Sequence, residues 1–291
     1  MPAGLPPITP TKPSRNTLLM AVLNVTPDSF SDGGIHSSTD PTVLLETVKT
    51  YIDAGVSIID VGGESTRPNA EPVTETEELS RVIPVIKLIR SLPEASKIAI
   101  SIDTYRANVA EAAVNVGADI INDISAGLLD LEMLPTMARL QKTVMLSHTR
   151  GTPKTMNKLT HYPDGVLAGI QSELAERVQA AEQAGVRRWR IIADPGVGFA
   201  KTQDQNLTIL RNLDQLRQAE QLEYMPWLVG VSRKGFVGRI TGVKKADERT
   251  WGTAAAVTAA ISGGADIVRV HDVKEMAQVT RMADAIFRPS L

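Results

Sequence analysis

Residues 97–125 read KIAISIDTYRANVAEAAVNVGADIINDIS, and this stretch decides the fold. Lys97–Asp103 is a continuous apolar run that ends on a carboxylate, as a parallel strand covered on both faces does. Tyr105–Val116 then sets Val109, Ala112, Ala113 and Val116 on one helical face and stops at Gly117, the residue type favoured where a helix ends in left-handed backbone. Asp119–Ser125 is a second apolar run that again ends in polar groups. The unit is strand, helix, glycine, strand, which is a βαβ crossover.

The same unit repeats in both directions. Further strands are predicted over Leu18–Val25, Ser57–Gly62, Thr143–His148, Arg190–Pro195, Trp227–Ser232 and Asp266–His271, making eight. Helical patterns fill Thr42–Ala54, Pro163–Ala184, Asn206–Leu216, Arg249–Ser262 and Val273–Ile286. Helix–glycine–strand junctions recur at Gly55, Gly117, Gly185 and Gly264. Eight strands alternating with helices predict an α/β protein with a single (β/α)8 TIM-barrel domain over residues 17–291. The competing architecture is a doubly wound open sheet, which places a Gly-rich phosphate turn after its first strand. Val22–Pro27 contains no glycine, Gly196-Val197-Gly198 lacks the third glycine of that turn, and no P-loop occurs.

Composition narrows the class. The 291 residues carry 31 Lys+Arg against 33 Asp+Glu, a net charge of −2, with 43% hydrophobic residues. Such a chain is globular; it is neither disordered nor a strongly basic nucleic-acid binder. The absence of cysteine removes disulfides, thiolate nucleophiles, iron–sulfur clusters and Cys-type zinc sites together. Gly252–Val268, the most apolar long stretch, is broken by Thr253, Thr258, Ser262 and Asp266, so no membrane span is expected. MPAGLPPITPTKPSR at the N-terminus has no apolar core, so it is not a signal peptide; residues 1–16 read as a proline-rich extension or linker.

In barrels of this type chemistry gathers at the C-terminal ends of the strands. Those ends carry Asn24, Glu64-Ser65-Thr66-Arg67, Asp103, Asn122-Asp123, His148, Asp194, Ser232-Arg233-Lys234, Arg269 and His271. Asp123 and His148 have a competing reading as helix caps. Asp103, Asn122 and Asp194 fall at the ends of apolar strands, where an unpaired polar group is costly. Arg67, Lys234, Arg269 and His271 suit a phosphate or pyrophosphate. Asp103, Asp194 and Asn122 suit a neutral heterocycle rich in N–H donors. With four histidines and no cysteine a tightly held zinc is not expected, whereas Mg2+ shared between one amide oxygen and phosphate oxygens fits. The Pro/Gly-rich loops 26–34 and 65–70 read as lids, with Phe30 offering a contact surface.

Seven motifs then carry a resemblance: NVTPDSFSDGG at 24–34, DVGGESTRP at 60–68, SIDTY at 101–105, INDIS at 121–125, ADPGVGF at 193–199, SRK at 232–234 and RVHD at 269–272. In this order, over about residues 18 to 286, they closely resemble the dihydropteroate synthase family of pterin-binding barrels. The resemblance implies an enzyme that joins 6-hydroxymethyl-7,8-dihydropterin pyrophosphate to p-aminobenzoate in folate biosynthesis, with Mg2+ and with sensitivity to sulfonamides. It implies a pterin set of Asp103, Asn122, Met145, Asp194 and Lys234, with Arg233 stacking on the ring. It implies a pyrophosphate set of Asn24, Arg67, Arg269 and His271, with Asn24 at the metal. Phe30, Thr66, Pro68, Phe199 and Ser232 would form the p-aminobenzoate pocket. Asp32, Lys234, Arg269 and His271 would be catalytic, with Asp32 near the reacting carbon.

Leu146-Ser-His-Thr-Arg-Gly151 departs from the bacterial His-Met-Arg-Gly pattern and looks like the fungal form, in which the synthase is often the last domain of a multifunctional protein. The expected partners are the two small substrates and a second copy of the chain, with no nucleic acid and no membrane. The expected location is cytoplasmic, or mitochondrial for a domain of a fungal folate protein. A pterin-dependent methyltransferase and a non-catalytic pterin-binding protein are the alternatives. SRK and RVHD argue against the first, and the intact Asn24, Arg67, Lys234 and Arg269 against the second.

Overall fold

The computed structural model describes residues 5, 8–10, 12, 14–26, 41–65 and 71–288. Eight parallel strands form one sheet: β1 Leu18–Asn24, β2 Ile58–Gly62, β3 Ala99–Asp103, β4 Ile120–Asp123, β5 Thr143–Ser147, β6 Ile191–Asp194, β7 Leu228–Gly230 and β8 Ile267–Val270. Their order is β6-β5-β4-β3-β2-β1-β8-β7. An isolated parallel bridge between Ala193 and Trp227 brings the two ends together. This is the predicted (β/α)8 barrel, with every strand where the apolar runs place it, though each is shorter than its run. β7, for example, ends at Gly230, so that Ser232–Lys234 are free to turn over the mouth.

The helices are α1 Pro41–Ala54, α2 Glu75–Ser91, α3 Ala107–Asn115, α4 Met133–Leu140, α5 Val166–Ala184, α6 Gln203–Arg211, α7 Leu213–Arg217, α8 Gly235–Thr241, α9 Thr250–Ser262 and α10 Val273–Phe287. Three of them, α2, α4 and α8, were not expected, and the single helix predicted over Asn206–Leu216 is broken at Asn212 into α6 and α7. α5 ends as its sequence predicts, on Gly185 at φ +105°, a conformation that glycine adopts without steric cost.

Two apolar layers hold the barrel. Ile59, Val61, Ile100, Ile102, Ile121, Val144 and Ile191 pack outward against the helices. Met20, Ile58, Ala99, Ile120, Met145, Ile192, Leu228 and Ile267 form a separate cluster that fills the barrel interior. Within residues 1–16, Leu5 and Ile8 pack against this inner cluster. Arg15 Nε donates to Asp266 Oδ1 at 2.5 Å. The described part of the proline-rich segment is thus packed against the barrel at Leu5, Ile8 and Arg15.

Candidate active site at the barrel mouth

A strand alternates its side chains with period two, so the residues two places beyond the inner apolar cluster also face the interior. There the chemistry changes at once: Ile58 gives way to Asp60, Ala99 to Ser101, Ile120 to Asn122, Met145 to Ser147, Ile192 to Asp194 and Ile267 to Arg269. An apolar floor thus carries a polar tier. Above that tier Asn24, Asp103, Phe199, Ser232, Lys234 and His271 line a cavity of about 570 Å³, together with Arg269.

Arg269 is the hub. Its Nε donates to Asp60 Oδ2 at 2.6 Å and its Nη2 to Asp103 Oδ2 at 2.5 Å. Asp60 also accepts from Asn122 Nδ2, at 3.2 Å to Oδ2. That bond turns the amide so that Asn122 Oδ1, a buried acceptor, has no hydrogen-bond partner. Asp194 accepts from Ser147 Oγ at 3.1 Å and Gly196 N at 2.8 Å. Lys234 Nζ sits 4.2 Å from the centroid of the Phe199 ring. His271 Nδ1 lies 3.0 Å from Ser232 Oγ, which also accepts from the His271 backbone N–H at 3.1 Å.

Burial dominates the proton affinities. It pushes Asp103 up to about 7 against the pull of Arg269, and it raises Asp194. It lowers Lys234 to about 8, helped by Arg269. Burial also works against the charge of Arg269, but Asp60 and Asp103 outweigh it and keep the guanidinium protonated.

Most of the expected site comes together here. Asn24, Asp103, Phe199, Ser232, Arg233, Lys234, Arg269 and His271 line the one cavity. Asn122 and Asp194 stand on neighbouring staves, and Met145 is fully buried beside Asn122 in register. Arg233, expected to stack on a ring, has its guanidinium on Asp272, with Nη2 to Oδ1 at 2.6 Å. Phe30, Asp32, Thr66, Arg67 and Pro68 lie outside the described residues. Asp123 follows its structural reading: it accepts from Ser125 N, Ser125 Oγ and Gly127 N at 2.6–2.8 Å. Glu64 is likewise engaged by Arg106 Nη1 at 2.5 Å. Asp60 is the site residue that sequence reasoning does not reach: it stands inside β2 between Ile59 and Val61, and its partner Arg269 is 209 positions away.

The fold and mouth define a class: a (β/α)8 barrel whose mouth sets cations beside buried acceptors. Residues 20–271 match the family described as Pterin binding enzyme. Folic acid synthesis protein fol1 of Schizosaccharomyces pombe is 49% identical over 272 residues, which are 94% of this chain and 36% of that protein. The chain thus spans little more than a third of that relative's length. Dihydropteroate synthase of Synechocystis sp. is 47% identical over 274 residues, 94% of this chain and 91% of that protein. Among solved structures, Yersinia pestis dihydropteroate synthase with a sulfonamide drug superposes with TM-score 0.86 at 36% identity, covering 98% of each chain. Clostridium difficile dihydropteroate synthase in the presence of pteroic acid gives TM-score 0.83 at 39% identity, covering 94% of this chain and 98% of the other. The chain belongs to the pterin-binding enzymes and, among them, to the dihydropteroate synthase family.

Proposed function

We infer that this chain condenses 6-hydroxymethyl-7,8-dihydropterin pyrophosphate with p-aminobenzoate, releasing pyrophosphate and forming 7,8-dihydropteroate, and that sulfonamides compete for the arylamine position. One observation carries the reading: a single cavity is lined by the acceptor Asp103 and by a cationic set, Arg269, Lys234 and His271, with Arg269 bonded to Asp103 across the divide, and the acceptors Asn122 and Asp194 stand at the ends of the strands beside it. The pteroic acid and sulfonamide named with the two bacterial neighbours support it.

Ring N–H groups would donate to the Asp103 and Asp194 carboxylates and to the partnerless Asn122 Oδ1, which leaves the pterin methylene toward the wider part of the cavity. Arg269 and His271 face the leaving pyrophosphate and stabilise its growing negative charge. The electron-rich dihydropterin carries the positive charge left on the methylene as the C–O bond breaks, and the arylamine nitrogen then bonds to that carbon and loses a proton. No protein nucleophile is needed in such an SN1-like path. Phe199 and Ser232 are the described walls available to the arylamine.

The residues present fit Mg2+. A Cβ on Gly62 would meet Asn24 Oδ1 at 3.6 Å, so the bare glycine leaves that hard oxygen open on one side. Asn24 would hold the metal there, with water and substrate phosphate completing its shell. When bound, it would neutralise pyrophosphate charge.

Exposed Trp251 on α9, with Met282 and Ile286 on α10, supports a second copy of the chain as partner. No helix among the described residues is long and apolar enough to cross a membrane. The location we propose is cytoplasmic, or mitochondrial for a domain of a larger folate protein, as in the Arabidopsis thaliana mitochondrial bifunctional relative. Pyrophosphate release by the purified protein, with each substrate omitted in turn and with and without Mg2+, tests the activity. No dihydropteroate formed with both substrates and Mg2+ present would remove the condensation reading.

A further inference from the structure

The loop from Pro195 to Lys201, between β6 and α6, winds through left-handed backbone at Gly196, Gly198 and Ala200, with φ of +65°, +87° and +49°. Two of these positions are glycine, but Ala200 carries a Cβ in a region that L-residues avoid, so the surrounding structure must over-determine it. The Lys201 side chain supplies much of that determination. It folds back under its own loop, where its Nζ donates to Gly196 O at 3.0 Å and to Phe199 O at 2.9 Å. Its third contact is His148 Nδ1, at 2.9 Å. An ammonium has three protons, so all three are committed within the protein, although Lys201 stands in the wall of the substrate cavity.

The bond to His148 fixes that ring's tautomer. Burial lowers Lys201 to about 7; in its charged form it can only donate, so His148 Nδ1 then accepts, which leaves the proton on Nε2 to face Glu173 Oε2 at 3.1 Å. Burial, reinforced by Lys201, lowers His148 to about 4, in keeping with a neutral ring. Glu173 is held by Arg150 Nε at 2.9 Å. The Arg150 guanidinium lies 3.8 Å over the Tyr162 ring, and Tyr162 Oη donates to Ala200 O at 3.2 Å. The chain of contacts therefore closes on the residue next to Lys201. It engages three carbonyls of the loop: Gly196, Phe199 and Ala200.

The loop has two products. One is Asp194 at its root, which is anchored without Lys201 by Ser147 Oγ and Gly196 N. The other is Phe199 near its end, whose ring meets Lys234 and whose carbonyl rests on the ammonium. We propose that Lys201 is a positioning residue for the arylamine half of the site: its ammonium, closed in a ring with His148, Glu173, Arg150 and Tyr162, locks the loop so that Phe199 stays on the cavity wall. The pterin half leans on this lock less, because Asp194 also keeps Ser147 Oγ, which lies outside the loop. The proposal rests on the placing of the arylamine against Phe199 argued above.

Lys201→Met in the full chain removes the ammonium and keeps the length of the side chain. The expected result is a KM for p-aminobenzoate at least tenfold higher, calorimetric affinity for the pterin substrate changed less than threefold, and faster amide hydrogen exchange confined to residues 198–200. An unchanged KM with unchanged exchange overturns the proposal. Equal losses in pterin affinity and arylamine KM overturn it too, because they mean general disorder of the site. If Lys201→Met does not fold, Tyr162→Phe removes one loop contact without burying a charge. There a KM at least threefold higher supports the lock, and an unchanged KM overturns it. The two readings fail separately. If wild-type protein forms no dihydropteroate, the functional reading fails, while the exchange pattern still reports whether Lys201 holds the loop.

Discussion

At the scale of single residues the site depends on carboxylates kept in unusual surroundings. Asp103 gives one oxygen to Arg269 and keeps the other for a ligand, yet burial moves its proton affinity up to about 7. The sign follows directly: the ionised form is the acceptor, so acidification through about 7 adds a proton where a ring N–H must bond. Pterin affinity is expected to fall as pH drops across that range, and calorimetry at a series of pH values checks it. Asp103→Asn should bind weakly and with that step gone. Asp194→Asn keeps the shape of the side chain and loses the charge, so the variant should fold while binding the pterin about ten- to a hundredfold more weakly, the equivalent of roughly 1.5–3 kcal/mol for a charge-assisted bond. Titration of the folded variant decides this. The residues at strand ends were legible in the sequence because a polar group closing an apolar run stands out. Asp60 was not, because a single carboxylate inside a strand becomes meaningful only when Arg269, 209 positions away, is seen to reach it.

Among the elements, strands were easier to read than helices, for a physical reason. Parallel strands buried on both faces must be apolar throughout, and nothing else in the chain combines that run with so short a length. The helices that escaped notice contain residues that argue against them: Pro84 inside α2, Pro135 in the first turn of α4, and Gly235 and Gly238 in the seven-residue α8. Packing on the barrel overrides their weak intrinsic preference. The β6–α6 connection is the element most sensitive to a small change. A Cβ at Gly196 would lie 1.8 Å from the His148 carbonyl oxygen, a backbone atom that cannot swing away, whereas a Cβ at Gly55 meets nothing within 4 Å. Both positions have positive φ. Gly55→Ala should therefore cost only the left-handed penalty, about 1–2 kcal/mol, and Gly196→Ala clearly more, with loss of pterin binding. Urea unfolding of the two variants side by side tests the contrast; equal costs would mean that the loop yields more easily than its contacts suggest.

For the whole molecule, the barrel floor and the mouth are separate problems. The floor is closed by packed side chains, with Leu5 and Ile8 against them, whereas residues 27–40 and 66–70, which follow β1 and β2 in the sequence, lie outside the described residues. Asn24, Glu64 and Ser65, at the roots of those stretches, already line the cavity. The stretches themselves carry the expected arylamine contacts Phe30 and Pro68. Fixing backbone costs about 1–2 kcal/mol per residue, more than a ligand as small as p-aminobenzoate supplies, so pyrophosphate with Mg2+ is expected to act first and the arylamine second. Titrating a sulfonamide into enzyme alone, then into enzyme holding pterin, Mg2+ and pyrophosphate, should show tight binding only in the second case. Equal affinity in both would mean a pocket formed in advance. The seam of the sheet has a consequence of its own. β6 and β7 meet through one bridge, Ala193 to Trp227, and the two sides of that clasp carry Asp194 and the turn to Lys234. A pterin gripped by both residues is a staple across the weakest joint of the bracelet. Substrate so placed would do more than occupy the barrel: it would hold the hoop shut, and exchange in β6 and β7 should slow on binding before it slows in any other pair of staves.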